Sequence, residues 1–380
     1  MKKVTTVLWA LILISACSEK PAGSFPLPEK SLSSTDVHFT LDDEIDLNRN
    51  SVWCKPMQLC WNEMVKQNQG PLKFTNQIKL FDQLNNPPFE NQAGKFSFVF
   101  AGLATQENKD KVLAESKKLN LYYNTIKSLL DPMRPIDYFA YANYWMRADF
   151  KHEFADSNLN FKREGKSVWV KGFDLGHVED KKDKRGSQVR ILYHNFLDKA
   201  EVPKLYDAEY VVELKSKNKN VRLVLAQIKP RKTLADNAKY IIELIKKDPK
   251  KYAESAGRLE NEPFAVPNIQ FKASKMLNEF KGNVLISKNP KLNKQELKAM
   301  FMGMKFKLDK KGAEVKAEAA MLCERKCALP QRQRSFVFDK PFFVMVMPAD
   351  KDTPDFICWI ANPEILEIET KKRLKPAGRN

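Results

Sequence analysis

Residues 309–319 read Asp309-Lys310-Lys311-Gly312-Ala313-Glu314-Val315-Lys316-Ala317-Glu318-Ala319. From Ala313 they alternate, with Ala313, Val315, Ala317 and Ala319 on one side and Glu314, Lys316 and Glu318 on the other. A period of two is that of a strand with one small apolar face and one charged face. Gly312 supplies a backbone hinge just before it. The composition also has high helix propensity, so an Ala/Glu/Lys helix over Glu314–Leu322 is the competing reading. Upstream, Met302, Met304, Phe306 and Leu308 alternate with Gly303, Lys305 and Lys307, a one-sided strand running directly into the hinge. Downstream come the dibasic Arg325-Lys326 and two apolar strand-ready runs, Asp339–Val346 and Phe356–Pro363.

Further strands are expected at Val52–Leu59 (entering a helix whose first turn holds Pro56), Phe96–Ala101, Val168–Val170, Tyr210–Leu214 and Val221–Ile228. Ile136–Phe150, with Tyr138, Phe139, Tyr141, Tyr144 and Trp145, predicts a long aromatic strand in the middle of a sheet. Ala265–Phe271 predicts a strand around Pro267, placed at an edge or strand start. Gly165-Lys166-Ser167 ends like a phosphate-binding loop, but Asn160 stands where that motif needs Gly, so it reads as a turn between strands. Asn108–Leu119 predicts a polar helix anchored by Val112 and Leu113. Thr233-Leu234-Ala235-Asp236 resembles a capping box, and Leu234, Ala238, Ile241, Ile242 and Ile245 give the helix after it one apolar face. Strands and helices are interspersed without a regular βαβ rhythm, so the class is α+β with large sheets.

The N-terminus carries an address. Lys2 and Lys3 precede an apolar run, Val7–Ile14, too short to span a bilayer comfortably, which reads as the core of a signal peptide. Ile14-Ser15-Ala16-Cys17 resembles a bacterial lipobox, with a lipidated Cys17 as mature N-terminus; the competing reading is an ordinary signal peptide with a chance Cys. Ser18 rather than Asp favours outer-membrane sorting within that class of signals, so a lipid-anchored cell-envelope protein is expected. The expected organisation is therefore leader 1–16, flexible tether 17–37 with Pro21, Gly23, Pro26 and Pro28, folded domain 38–363 and basic tail 364–380.

The net charge of +18 (+16 without Lys2 and Lys3) is gathered in lysine-rich clusters such as 181–185, 215–222 and 246–251. Each cluster alone reads as solvated surface; together they predict weak, salt-sensitive attraction to polyanions. No nucleic-acid motif, nucleophile elbow or zinc-ligand spacing is present, so no enzyme activity, cofactor or metal is expected. After Cys17 come Cys54, Cys60, Cys323, Cys327 and Cys358, an odd number, so at least one does not pair within the chain.

Several of these stretches, in order, resemble the serpin family of protease inhibitors. Val52-Trp53-Cys54-Lys55-Pro56-Met57-Gln58-Leu59 resembles the serpin strand-to-helix passage. Ala142-Asn143-Tyr144-Trp145-Met146-Arg147-Ala148-Asp149-Phe150 is similar to its central strand. Gly165–Val170, Phe264–Phe271, Asp309–Ala319, Phe338–Phe343 and Phe356–Pro363 follow in the family's sequence. The resemblance covers roughly residues 38–363 and implies a serpin-like α+β fold: a large main sheet, additional sheets, surrounding helices and an exposed reactive loop. Lys55 and Gln58 depart from the Ser residues favoured beneath the sheet, Met302 from a His, Phe150 from a Trp and Cys358 from a Gly. The segment between Ala104 and Tyr138 is shorter than in the family, implying a truncated helix across the main sheet.

The resemblance also implies a mechanism. A protease attacks the loop, which then inserts into the main sheet as a new strand. The hinge Gly312, Ala313, Glu314, Val315, Ala317 and Ala319 would present small residues to the core. Counting from Gly312 puts the attacked bond at Lys326–Cys327, with Arg325 before it, suiting a trypsin-like serine protease; alternatively, Arg325-Lys326 is only an exposed basic loop. A Cys323–Cys327 disulfide would curl the loop and block trapping. The expected partners are such a protease, the membrane through the N-terminal lipid, and weakly bound polyanions, with the chain acting as a monomer. The competing functions are a serpin-fold binding protein that no longer inhibits and a polyanion-binding envelope lipoprotein.

Overall fold

The alternating Met302–Leu308 run is the second half of a longer strand, β16 (Glu296–Leu308). Met302, Met304, Phe306 and Leu308 are fully buried, but Gly303 and Lys307 on the opposite side are buried as well, so the strand is covered on both faces and not one-sided as expected. The computed structural model describes residues 6–15, 32–163, 165–176, 184–195, 208–247, 259, 262–280, 282–313 and 335–369. Elements are numbered along the chain.

β16 lies in a five-stranded sheet with β1 (Thr6–Ser15), β5 (Ser97–Leu103), β6 (Tyr138–Met146) and β14 (Ile269–Leu277), in the order β14-β16-β1-β6-β5. A seven-stranded sheet has the order β10-β11-β12-β19-β20-β3-β2. Its strands are β2 (Thr35–His38), β3 (Asn50–Cys54), β10 (Val189–His194), β11 (Tyr210–Leu214), β12 (Val221–Gln227), β19 (Phe342–Pro348) and β20 (Phe356–Ile360). A four-stranded sheet, β18-β13-β9-β8, contains β8 (Ala155–Arg163), β9 (Lys166–Asp174), β13 (Phe264–Pro267) and β18 (Phe336–Val337). Two short pairs complete the strands: β4 (Lys73–Phe74) with β15 (Leu285–Ile286), and β7 (Ala148–Asp149) with β17 (Gly312–Ala313). The helices are α1 (Pro56–Asn68), α2 (Lys79–Asn85), α3 (Gln106–Leu119), α4 (Tyr123–Leu130) and α5 (Leu234–Lys247).

The expected α+β, serpin-like architecture is present: a main sheet, further sheets and helices around them. The two faces of β6 are buried differently. Tyr138, Ala140, Ala142, Tyr144 and Met146 join the large core shared with α1 and the seven-stranded sheet. Phe139 and Tyr141 lie in a smaller cluster with Phe301 and with Tyr122, Ile126 and Leu129 of the α4 region. The α3–α4 segment thus covers the outer face of the sheet. Gly303 is needed for that cover. A Cβ on it would run into the Tyr122 ring, whose hydroxyl donates to the Ala273 carbonyl at 2.9 Å.

Several expectations hold residue by residue. Pro56 opens α1, Gly165 turns β8 into β9 with φ +76°, and Thr233 Oγ1 accepts from the Asp236 amide at 3.0 Å at the start of α5. Others are corrected. Ala265–Phe271 is not one strand: β13 ends at Pro267, which cannot donate to a ladder, and the chain crosses at Asn268 into β14 of a different sheet. The expected strand Ile136–Phe150 is interrupted at Arg147, leaving β7 as a short continuation of β6. Residues on either side of 38–363 also make contacts with the sheets. Thr35–His38 pairs with β3, and the start of the tail is built in, with the Glu364 carboxylate accepting from Ser33, Ser34 and Thr35 at 2.7–2.9 Å. In the full chain Thr6–Ser15, which lies within the expected leader 1–16, is the central strand of the five-stranded sheet. It runs antiparallel to both β6 and β16.

Candidate functional site

The chain leaves β16 through a tight turn. The Asp309 amide donates to the Gly312 carbonyl at 3.0 Å, and the Gly312 amide returns to the Asp309 carbonyl at 3.1 Å. The Lys311 amide donates to Asp309 Oδ1 at 2.8 Å, an Asx turn that reverses the chain. Gly312 has φ +135°, and a Cβ on it would lie 2.5 Å from the Ala148 carbonyl oxygen and 2.7 Å from Asp149 Cα. Only glycine has both the backbone freedom and the lack of bulk this position demands. Beyond the turn, β17 pairs antiparallel with β7, Gly312 opposite Asp149 and Ala313 opposite Ala148. The hinge therefore already stands between the end of β16 and the continuation of β6.

Its surroundings hold it there. The Phe150 and Phe154 amides donate to the carbonyls of Lys311 (3.0 Å) and Lys310 (2.9 Å). Lys310 pairs with Asp156 (2.6 Å) and Glu153 (3.2 Å), and Lys307 with Asp309 (2.7 Å). Phe150, Phe154, Phe173 and Phe264 pack against one another edge-on or tilted, with ring centroids 5.0–6.1 Å apart. A polar depression of about 320 Å³ beside the hinge is lined by Arg147, Asp149, Lys151, Glu153, Lys217 and Lys311. None of these contacts to the hinge was predicted from sequence; an Asp three residues before a Gly is the local signal that could have marked the turn.

Beneath the five-stranded sheet, Lys55 is buried and forms an ion pair with buried Asp355 at 2.8 Å. Its ammonium lies 4.7 Å from the centre of the Tyr144 ring on β6. Burial pushes the Asp355 carboxyl above its ordinary value, against the pull of Lys55. Cys54 Sγ donates to the Asp355 carbonyl at 2.7 Å, and burial raises its thiol well above the usual range. Gln58, also buried, donates to Asn62 Oδ1 (2.7 Å) and the Leu84 carbonyl (2.8 Å). The two departures noted beneath the sheet are thus satisfied polar groups. Lys55 links β6 to the loop before β20.

Of the expected site residues, Gly312 and Ala313 meet β7 as described. Glu314, Val315, Ala317, Ala319, the reactive bond Lys326–Cys327 with Arg325, the Cys323–Cys327 pair and the lipidation site Cys17 lie outside the described residues. Among the described residues no group of three or more His, Cys, Asp or Glu side chains is placed to hold a metal ion. A separate groove of about 700 Å³ on the β10–β12 edge is lined by Arg190, Lys215, Lys219, Arg222 and Lys246, with Glu213 and Asp352 among them.

No protein-family model and no curated protein sequence matches the chain. Among solved structures it is similar to a thermophilic serpin, tengpin, in the native state, at 10% identity and TM-score 0.40 over 84% of this chain and 90% of that one. It is similar to a thyroxine-binding globulin complex with thyroxine at 12% identity and TM-score 0.41, over 83% and 93%. The match to Manduca sexta serine protease inhibitor (serpin)-12 has 12% identity and TM-score 0.36 and spans 58% of this chain and 55% of that one. The fold is serpin-like. Its hinge leaves β16 and pairs with β7 beside the end of β6.

Proposed function

We propose that this chain traps serine proteases of basic specificity: a protease attacks Lys326–Cys327, next to Arg325, and the loop inserts into the main sheet between β6 and β16. In this reading Cys17 carries the lipid that tethers the domain in the cell envelope, and the leader is removed on export.

The observation that supports it is the register of the hinge. Continued past Ala313 along β6, it sets Val315, Ala317 and Ala319 opposite Met146, Tyr144 and Ala142, the residues of the core face. Cross-strand partners share a face, so the small residues would enter the core. Lys316 and Glu318 would fall opposite Trp145 and Asn143 on the outer face, where Trp145 is half-buried. Further down, where Tyr141 and Phe139 are covered by the α4 cluster, the loop changes to Ala320 and Leu322. Two pairings oppose insertion: Lys316 would face Lys305 across the ladder, a cost of roughly 0.2–1 kcal/mol, and Glu318 would fall between buried Asn143 and Gly303, which the Tyr122 ring covers, where an unpaired charge costs several kcal/mol. Against these costs stands about 25 cal/mol for every Å² of apolar surface the new strand removes from water.

The test is to mix the processed chain, from Cys17 onward, with trypsin. The reading expects a complex that survives boiling in SDS and cleavage mapped after Lys326. Cleavage without a complex would refute it. A second reading, a serpin-fold binding protein for polyanions, is favoured by the groove whose five cations, Arg190, Lys215, Lys219, Arg222 and Lys246, outnumber Glu213 and Asp352, the acids that pair with Arg190, Arg222 and Lys246. It expects salt-sensitive retention on a polyanion column that is lost in an Arg190→Ala/Arg222→Ala variant.

A further inference from the structure

The gap between β6 and β16 has an occupant in the full chain, and its register carries a consequence. β1 runs antiparallel to both neighbours, with Val7 opposite Trp145 on one side and Lys305 on the other, and Ala10 opposite Ala142 and Met302. The hinge sets a register of its own. Asp309 bridges Gly312 and Ala148 pairs with Ala313. Extended three residues, that register puts Lys316 opposite the same Trp145 and the same Lys305. Thr6 likewise stands opposite Met146, where Val315 would stand. From Thr6 to Leu13 the N-terminal strand and the continuation of the loop therefore claim the same places in the same register; past Leu13 the β1–β16 ladder shifts.

The chemistry of the gap suits such a guest. It is covered on the lower outer face by Tyr122, Ile126 and Leu129 and on the inner face by the main core. A strand buried on both faces is a continuous apolar run. Val7–Ile14 is continuously apolar, whereas the loop brings Lys316 and Glu318. An open gap would also leave a row of unpaired backbone donors and acceptors on two facing strand edges, and β1 satisfies both rows.

We propose that the gap between β6 and β16 is a binding site for the chain's own N-terminal segment Thr6–Ser15, which plugs it in the register the reactive loop needs, so that leader and loop exclude one another. The exclusion rests on the loop-insertion reading above; the seating of the leader does not. A chain that folds with its leader attached is closed to insertion, and leader removal opens it. The same apolar run thus serves first as export signal and, wherever processing has not occurred, as the occupant that keeps the trap shut.

The full chain, made where the leader is not removed, tests this with a cysteine pair, Ala10→Cys with Ala142→Cys. Cα atoms of directly opposed residues on an antiparallel pair lie about 4.5–5.5 Å apart, inside the span a disulfide bridges. Ala10→Cys with Met302→Cys probes the other side, should one pair impair folding, and Ala10→Cys with Ala140→Cys is the off-register control. The proposal expects the first two bridges by peptide mass spectrometry and at least tenfold less of the third. Absence of both expected bridges, or equal yield from the control, overturns it. Trypsin added to the bridged and reduced forms then reads the exclusion. Complex formation at least tenfold slower in the bridged form supports it, and equal rates overturn it. No complex in either state would refute the trapping function, while the bridges would still establish the leader's seat.

Discussion

Replacing Gly312 by Val tests the hinge from its own geometry. At φ +135° a residue with a side chain is held in a region almost reserved for glycine, at about 1–3 kcal/mol. Its Cβ would also lie 2.5 Å from the Ala148 oxygen, 2.7 Å from Asp149 Cα and 3.1 Å from the Phe150 nitrogen. All three are backbone atoms, so no rotamer change relieves the clash, and overpacking adds about 1–3 kcal/mol. Four backbone hydrogen bonds hold the hinge: the reciprocal Asp309–Gly312 pair and those from Phe150 and Phe154. At about 0.5–1.5 kcal/mol net each, they are worth about as much as the strain. The expected outcome is that the hinge detaches and the rest of the fold stays intact. Native-state hydrogen exchange is the assay. The Phe150 and Phe154 amides should lose about 30- to 1,000-fold in protection, the equivalent of about 2–4 kcal/mol, while core amides such as Val344 keep theirs to within the loss in global stability. Gly312→Ala carries the same Cβ and should show most of the effect. Unchanged protection at Phe150 and Phe154 in both variants would refute the placement of β17 against β7.

Other predictions concern the groups around the gap. Lys55→Met should cost about 3–5 kcal/mol in chemical denaturation by stranding buried Asp355, and adding Asp355→Leu should restore most of it. A Lys55→Met chain as stable as the parent at neutral pH would contradict the buried pair. Burial raises Glu364, but hydrogen bonds from Thr35, Ser33 and Ser34 outweigh it, and its folded pKa is lowered. The carboxylate therefore adds stability above its unfolded value of about 4.3, and loses it as the pH falls through the folded value. Glu364→Gln should cost about 1 kcal/mol at pH 7, a figure kept small by solvent exposure, and the gap to the parent should close below about pH 4. Oxidation of Cys323–Cys327 should convert trapping into plain cleavage. A loop inserted from Ala313 to Cys323 runs about 33 Å down the sheet. The eight-residue span from Cys327 to Ser335 reaches only about 28 Å, from β18 near the hinge end. An oxidised chain that still forms the SDS-stable complex would refute this.

Strands with an alternating apolar pattern were legible. Met302, Met304, Phe306 and Leu308 show it in a spacing of two, the α5 face has the corresponding helical spacing, and the aromatic run of β6, buried on both faces, was legible from its composition. The first half of β16 was not read, because Glu296 and Lys298 interrupt the apolar pattern of a segment buried on both faces. β8 was missed because Asp156, Asn158 and Asn160 give it a polar face that resembles a loop. What sequence spacing cannot carry is partnership across hundreds of residues. Asp355 as the counter-ion of Lys55, Glu364 as the clasp on Ser33–Thr35 and Tyr122 lying on Gly303 each need the fold to bring them together. The hinge was legible because its glycine, its turn and its small-faced strand are contiguous. The clamps from Phe150 to Asp156 were not, because they reach it from a different strand. Thr6–Ser15 shows a different limit: one apolar run satisfies both a membrane-directed leader and the middle of a sheet, and composition does not separate the two.

The most direct test of strand insertion is thermal unfolding of the processed chain before and after its loop is cut. A strand added between β6 and β16 satisfies both edges and buries the hinge's small face, so the cut chain should melt at least about 20 °C higher, with about 1 kcal/mol worth roughly 2–4 °C in large domains. An unchanged or lowered melting midpoint after complete cleavage at Lys326 would contradict insertion and with it the account of the site.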